Sequence, residues 1–277
     1  MREEVHVDDI TGISNSSNVD HGTHCARTDD HDRTGYQRQE RRMKAAVYVG
    51  TRNVYGEMLP SLKSLLINSD VDKVYLLIED DAFPYELPGC VETINVSGQP
   101  YFRHDGPNYS TIPWTWMTMM RAALWDLFPD LDVILSLDND TIIDKDISEL
   151  WDLPIADYYF SAAREPLKSK GGPLYVCDMF TQMGVVLYNL RKLRDGKGAE
   201  VVRELNTRRY IFAEQDAFNL LCQGNIYPMP PEYNACNYTE PVDRAKIFHF
   251  AAIKDWHMFS PWIKYQAVEF KDIRGII

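Results

Sequence analysis

From residue 43 onward, short apolar runs alternate with stretches in which apolar side chains recur every three or four residues. The runs have the length of buried strands, and the three- and four-residue spacing is typical of amphipathic helices. The predicted strands are Ala45–Val49, Val74–Ile78, Val91–Val96 and Val133–Leu137. The predicted helices are one that carries Leu59, Leu62, Leu65 and Leu66, and one over Pro113–Phe128 that packs Met117, Met120, Leu124 and Leu127 into the core. Further segments continue the alternation over Val185–Leu190, Lys192–Leu205 and Gln215–Cys222. This order of elements predicts an α/β domain with a mostly parallel sheet.

The first 42 residues differ in character from the rest of the chain. They contain only nine hydrophobic residues but four of the seven histidines. Such a segment cannot bury enough apolar surface to offset the entropy lost on folding. We therefore expect a disordered N-terminal extension over residues 1–42 and one folded domain over residues 43–277.

The composition narrows the range of partners. Of the 277 residues, 45% are hydrophobic and 25% are charged, and the net charge is −12. An acidic balance argues against a nucleic acid or an anionic membrane surface as the main partner. There is neither an apolar stretch of membrane-spanning length nor an apolar secretory core at the N-terminus. The five cysteines are scattered, with no CxxC pair, which favours reduced thiols and a cytoplasmic protein.

Two carboxylates, Asp138 and Asp140, directly follow the strand predicted over Val133–Leu137. Ligands of open α/β sheets gather at the carboxyl ends of strands. Two carboxylates about 4 Å apart repel by about 4 kcal/mol at an effective dielectric of about 20, so a base, a raised pKa or a divalent cation must offset the repulsion. Hard oxygen ligands suit Mg²⁺ or Mn²⁺.

Several kinds of protein carry such an acidic pair. A calcium-binding EF-hand loop is excluded, because Ile142 and Ile143 occupy the positions of a ligand and of the required glycine. A phosphatase of the haloacid dehalogenase type, with Asp138 as nucleophile, is an alternative, although Thr141 follows Asp140 directly instead of two residues later. A sugar-nucleotide transferase would use the pair to hold a cation against a diphosphate. A non-catalytic sugar-nucleotide-binding module is a further alternative.

Other motifs stand in a fixed order around the acidic pair. Arg121 precedes Asp138 by 17 residues. The remaining motifs are Leu137–Trp151, Ser161–Pro166, Gln182–Leu190, Glu214–Asn219 and His249–Trp256. Together they resemble glycosyltransferase family 8, the retaining GT-A enzymes that include glycogenin and bacterial lipopolysaccharide galactosyltransferases. The resemblance covers about residues 45–262.

The resemblance implies a GT-A fold, which is a Rossmann-like, mostly parallel mixed sheet flanked by helices in a single domain. It also implies a metal-dependent retaining enzyme that moves a hexose from a UDP-sugar to a glycan or other small hydroxyl acceptor. The chain has no basic amphipathic tail of the kind that anchors lipid-glycan enzymes to membranes, so we expect a soluble bacterial or bacteriophage-like protein.

The resemblance also assigns roles to individual residues. It implies metal ligation by Asp138, Asp140 and His249, and mixed oxygen and nitrogen ligands favour Mn²⁺ over Mg²⁺. The expected contacts to the nucleotide-sugar are Thr51, Asn53, Arg121, Asn139, Gln182, Gly184 and Lys254. Carboxylates and amide oxygens stabilise the oxocarbenium-like state of the sugar, and the candidates for this task are Glu165, Glu214, Gln215 and Asp216.

Some of these residues have a structural alternative. Arg121 would serve equally in an ion pair with Asp126 or another acidic neighbour. Glu214 and Asp216 would also complement the dipole of the helix that follows them. Because the amide of Gln215 is a poor nucleophile, a front-face reaction stays as open as a double displacement.

Overall fold

Two β-sheets organise the domain. The computed structural model describes residues 42–110, 115–165, 177, 179–238, 241–251 and 258–273. The strands in this part of the chain are β1 (Ala45–Val49), β2 (Lys73–Ile78), β3 (Val91–Asn95), β4 (Val133–Leu137), β5 (Thr141–Ile143), β6 (Phe160–Arg164), β7 (Thr181–Asn189), β8 (Ile226–Met229), β9 (Ala235–Cys236) and β10 (Ile247–His249). The large sheet has the order β3-β2-β1-β4-β7-β6-β8 and the small sheet has the order β5-β10-β9. In the large sheet, β7 runs antiparallel to its neighbours and the other pairs are parallel, which confirms the predicted mixed sheet.

Helices lie between several of these strands. The α-helices are α1 (Tyr55–Asn68), α2 (Trp116–Met119), α3 (Leu124–Leu127), α4 (Leu190–Leu193), α5 (Lys197–Thr207), α6 (Glu214–Leu221) and α7 (Ser260–Ala267). The 3-10 helices are Arg52–Val54, Met120–Ala123, Ser148–Asp152, Pro231–Tyr233 and Phe270–Asp272. Within the described ranges, no helix has the length and apolar character needed to cross a bilayer.

The predicted helix over Pro113–Phe128 and the segment Lys192–Leu205, which continues the alternation, are both interrupted. The segment predicted over Pro113–Phe128 contains a 3-10 turn between α2 and α3, and Pro113 itself lies outside the described residues. The segment over Lys192–Leu205 is divided between α4 and α5. The break falls at Gly196, whose φ of +103° is one that glycine adopts without steric cost.

Helices cover both faces of the large sheet. β4 is buried along its whole length and β1 along most of it, the pattern of central strands covered on both sides. Met58 and Leu62 of α1 pack on one face. Met117 and Met120 pack on the other, as the sequence predicts.

The register of the strands brings several chain ends to one edge of the sheet. Leu137 pairs with Val185, the middle residue of β7, so the first half of β7 extends past the end of β4. Arg164 pairs with Thr181, so the end of β6 lies at the same edge. β1 runs parallel to β4 and ends there too. Ligand crevices of open α/β sheets form at this edge.

Candidate active site

The turn after β4 is held in place on both sides. The Asp138 N–H donates to the carbonyl of Gly184 on β7 at 2.8 Å. Asn139 donates its Nδ2 proton to the carbonyl of Val49 at 2.9 Å, which ties the turn to the end of β1. After Asp140 the chain enters β5, which pairs with β10 in the small sheet. This connection joins the small sheet to the edge where the large sheet ends.

The small sheet brings His249 to the two aspartates. One ligand atom from each of Asp138, Asp140 and His249 lies within 4.8 Å of the other two. The His249 Nε2 atom is 3.3 Å from Asp140 Oδ1 and 3.4 Å from Asp138 Oδ2. This buried nitrogen makes no hydrogen bond of good geometry within the described residues. A nitrogen that lies between two carboxylates and makes no well-aligned hydrogen bond to either is in a suitable place to bind a divalent cation such as Mn²⁺. The three predicted ligands are thus brought together.

Electrostatics and close packing both constrain the imidazole. Burial alone would lower the pKa of His249, but Asp140 and Asp138 outweigh it and hold the pKa well above its usual value of 6.5. The ring also lies against the backbone of β7, because a Cβ built on Gly184 would be 2.0 Å from His249 Cε1. No side chain larger than that of glycine fits at position 184 without moving the ring.

Arg121 bridges two carboxylates from the 3-10 turn between α2 and α3. Its Nη1 donates to Asp138 Oδ1 at 2.6 Å, and its Nη2 forms an ion pair with Glu214. The side chains of Arg121 and Glu214 are only 7% and 4% exposed. Burial would lower the pKa of Arg121, but the carboxylates of Glu214 and Asp138 raise it, so the guanidinium stays charged. The acidic neighbours of Arg121 are therefore these two residues, whereas Asp126 accepts a hydrogen bond from Tyr101.

The first turn of α6 places two candidate residues against β7 and Arg121. Burial raises the pKa of Glu214, and the nearby charge of Arg121 opposes this rise. Gln215 is half-buried, and its Oε1 accepts the N–H of Met183 at 3.4 Å. Asn219, one turn further along α6, donates to the carbonyl of Gln215 at 2.8 Å. The Gln215 amide thus lies beside the first residues of β7, close to the acidic cluster of Asp138, Asp140 and His249.

Asp216 points toward the loop that leads into α6. Its Oδ2 accepts the backbone N–H groups of Ile211 and Phe212 at 3.0 and 2.9 Å. Burial raises the pKa of Asp216, and these two hydrogen bonds oppose the rise. In the same loop, Ala213 has φ +44° and ψ −115°, a strained conformation for a residue with a Cβ. The hydrogen bonds of Asp216 therefore stabilise this loop and not the cluster of Asp138, Asp140 and His249.

Glu165 and Gln182 stand at the same edge of the sheet. Glu165 follows β6, and its two carboxylate oxygens lie 2.9 and 3.1 Å from the hydroxyl of Tyr238, which donates to them. Gln182 is buried in β7, and its Oε1 accepts from the N–H of Gly184 and from Asn234 Nδ2.

The predicted nucleotide contacts are placed in part. Thr51 and Asn53 lie in the segment that follows Gly50 at the end of β1, and they hydrogen-bond to each other. Arg52, between them, forms an exposed ion pair with Asp80 after β2. Lys254 lies outside the described residues.

Three side chains that shape the site are absent from the residues predicted from the sequence. Asn234 Oδ1 lies 2.8 Å from His249 Nδ1, and Tyr238 contacts Glu165. Asn219 exchanges hydrogen bonds with Thr181 and so ties α6 to the start of β7. Asn219 stood inside a motif without an assigned role, and the other two carry no signal in sequence because they lie in no motif.

Comparison with known proteins connects this geometry to one group of enzymes. The sequence model of the family described as glycosyl transferase family 8 matches residues 90–259 of this chain. No curated protein matches the sequence.

Solved glycosyltransferase structures share the fold. The apo structure of the bifunctional enzyme WbbM superposes with a TM-score of 0.66 at 16% identity over 82% of this chain and 50% of that one. GlyE from Streptococcus pneumoniae TIGR4 gives 0.61 at 19% identity, over 84% and 62% of the two chains. The galactosyltransferase LgtC, solved with donor and acceptor sugar analogs, gives 0.61 at 17% identity over 84% and 100%. The chain thus spans half the length of WbbM and less than two thirds of GlyE. The likeness confirms the predicted GT-A fold.

Proposed function

Because the chain belongs to glycosyl transferase family 8, we propose that it moves a hexose from a UDP-sugar to a glycan or other hydroxyl acceptor, with retention at the anomeric carbon. The observation that carries this proposal is the cluster of Asp138, Asp140 and His249 beside the Arg121–Glu214 ion pair. Family membership favours this function over the phosphatase and the non-catalytic binding module.

The proposed cation ligands are Asp138, Asp140 and His249. A cation bound there supplies Lewis-acid stabilisation of the negative charge on the leaving diphosphate. Oxygen and nitrogen ligands together favour Mn²⁺ over Mg²⁺. Lys254 is proposed to add a positive charge near a phosphate oxygen.

The two carboxylate oxygens of Asp138 have different neighbours, because Arg121 binds only one of them. Its Nη1 holds Oδ1, while Oδ2 faces the imidazole of His249. Because Glu214 holds the same guanidinium, Arg121 has little freedom to rotate away. Arg121 and Glu214 therefore orient a proposed ligand, and the charge of Arg121 also suits a phosphate or sugar oxygen of the donor.

The reacting sugar is proposed to lie between the acidic cluster and α6. Within the described residues, the only hydrogen bond of Gln215 Oε1 is the 3.4 Å contact with Met183, so this oxygen is available to stabilise positive charge on the sugar ring. Glu165 is proposed to contact the sugar from the end of β6. Thr51, Asn53 and Asn139 mark the place of the nucleotide, near the ends of β1 and β4. This arrangement serves a front-face reaction and a double displacement alike.

A panel of UDP- and GDP-sugars tests the proposal. With Mn²⁺, at least one UDP-hexose should release free nucleotide, and EDTA should stop the release. Asp140→Asn should lose this activity and remain folded, because it removes a charged ligand from the cluster. Asp130→Asn makes the same chemical change at an exposed position before β4 and is the matched control. Full activity of Asp140→Asn, or turnover in EDTA equal to that in Mn²⁺, would contradict the proposal.

A further inference from the structure

A chain of two side-chain amides connects the backbone of β7 to His249. Its first member is Gln182, which is only 7% exposed. The N–H of Gly184 donates to the terminal amide of Gln182 at 2.6 Å. A backbone N–H can only donate, so the Gln182 atom that receives it must be the oxygen, Oε1. The orientation of the Gln182 amide is thus set by the main chain.

The second member, Asn234, takes its orientation from the first. The Asn234 amide lies 2.7 Å from the same Gln182 Oε1. Because this oxygen accepts, the Asn234 atom that faces it must be the donor Nδ2. Asn234 Oδ1 then faces the imidazole of His249, 2.8 Å from Nδ1. The thiol of Cys236 lies 3.7 Å from the same Asn234 Oδ1 and 3.9 Å from His249 Nδ1. A thiol is a weak hydrogen-bonding group, so the amide oxygen is the stronger acceptor for Nδ1.

An amide oxygen can only accept, so His249 Nδ1 must carry a proton. We propose that Gln182 and Asn234 are positioning residues that keep this proton on Nδ1, so that the Nε2 lone pair of the neutral ring is directed at the space between Asp138 and Asp140. The alternative tautomer would place a proton on Nε2, where it blocks ligation, and would leave two acceptors facing each other at Nδ1.

Through this chain of amides, the core strand β7 also orients the imidazole of His249. Gln182 sets the tautomer of His249, which lies on the small sheet, because it fixes the amide of Asn234. Gly184 sets the position of the His249 ring, because it leaves room for it. The inference rests on the proposed function, since it assumes that the cluster receives a cation. Partners of ligating histidines orient the ring, and their loss typically weakens metal binding by about 10- to 100-fold.

The test measures Mn²⁺ affinity of the full chain from the electron paramagnetic resonance signal of free Mn²⁺. Asn234→Leu removes the acceptor at Nδ1, and we expect its dissociation constant to rise by about 10- to 100-fold. Gln182→Leu frees the Asn234 amide to turn over, and we expect a rise of about tenfold. Gln182→Glu keeps an oxygen that accepts from both donors and should stay within about threefold of the original protein.

A matched control separates this role from a general loss of packing. Asn108 is another buried asparagine, and it donates to the carbonyls of Leu205 and Arg208. Asn108→Leu should lower the unfolding temperature without changing Mn²⁺ affinity. Pulsed resonance of bound Mn²⁺ should show the ¹⁴N coupling of a ligated imidazole, and this coupling should be lost in Asn234→Leu.

The outcomes distinguish this proposal from the proposed function. If the original protein binds Mn²⁺ and both leucine variants at Asn234 and Gln182 bind it equally well with the ¹⁴N coupling intact, the positioning role is refuted and the metal site stands. If the original protein binds no Mn²⁺, the metal-dependent function and the positioning role both fall. Should Asn234→Leu not fold, the comparison of Gln182→Leu with Gln182→Glu decides the question alone.

Discussion

Replacement of Arg121 by methionine should leave the carboxylate of Glu214 buried without a partner charge. Methionine keeps an unbranched side chain but removes the ion pair with Glu214. Loss of one member of a buried ion pair costs about 3–5 kcal/mol. Asp138 also loses its 2.6 Å contact with Arg121, but its side chain is 32% exposed and can bind water instead. We therefore expect Arg121→Met to lower the free energy of unfolding by about 3–5 kcal/mol, mostly through Glu214.

Urea unfolding in EDTA measures this loss without the contribution of a bound cation. The loss should depend on pH, because burial raises the pKa of Glu214 above 4.5 and removal of Arg121 takes away the charge that opposes the rise. A carboxyl group whose pKa is higher in the folded state than in the unfolded state stabilises the fold below its unfolded pKa, and this stability is lost as the pH rises through its folded pKa. The defect of Arg121→Met should therefore be largest at neutral pH and shrink as the pH falls toward 4.5.

The double variant Arg121→Met/Glu214→Gln is the control. It removes the unpaired charge, so it should recover most of the stability that Arg121→Met loses, and its defect should not depend on pH in the same range. A non-additive result of this kind measures the coupling between the two residues. A defect below about 1 kcal/mol in Arg121→Met, equal at all pH values and unchanged in the double variant, would show that Glu214 does not depend on Arg121 for its charge balance.

Three further changes test other parts of the site. Gly184→Ala places a Cβ 2.0 Å from His249 Cε1 and should weaken Mn²⁺ binding at least about tenfold; Gly89→Ala, where a Cβ meets no atom within 4 Å, should leave binding unchanged, and equal affinities would contradict the close approach. Gln215→Ala should lower kcat more than donor affinity, because its amide is proposed to act on the developing charge; steady-state kinetics check this, and an effect confined to KM would argue against that role. Ala213→Gly should raise the free energy of unfolding by about 1 kcal/mol, since it relieves the strain at φ +44°; a lower stability in urea would show that the strain is absent.

Local patterns in the sequence predict much of the large sheet. The strands β1, β2 and β4 coincide closely with apolar runs, because strands covered on both faces of a sheet are rich in apolar side chains. The edge strand β3 (Val91–Asn95) lies within its predicted bounds although it carries polar residues. The pattern is weaker for helices that change type or direction. The 3-10 turn at Met120–Ala123 keeps the apolar spacing of a helix, so the periodicity predicts one continuous helix where the structure has three short elements.

The acidic pair and the family could be predicted from the sequence because their signals are local. They are two carboxylates directly after a buried strand, and short motifs in a fixed order along the chain. The partners of these residues depend on tertiary structure. Arg121 meets Glu214, which is 93 positions away, and Asn234 meets Gln182 across 52 positions. Such contacts follow from strand register and from the packing of α6 and the small sheet against β7, which a linear pattern does not encode. The α/β class, the family and the location of the acidic pair therefore follow from the linear order of residues, whereas the pairing of the charges and the orientation of the imidazole depend on the three-dimensional packing.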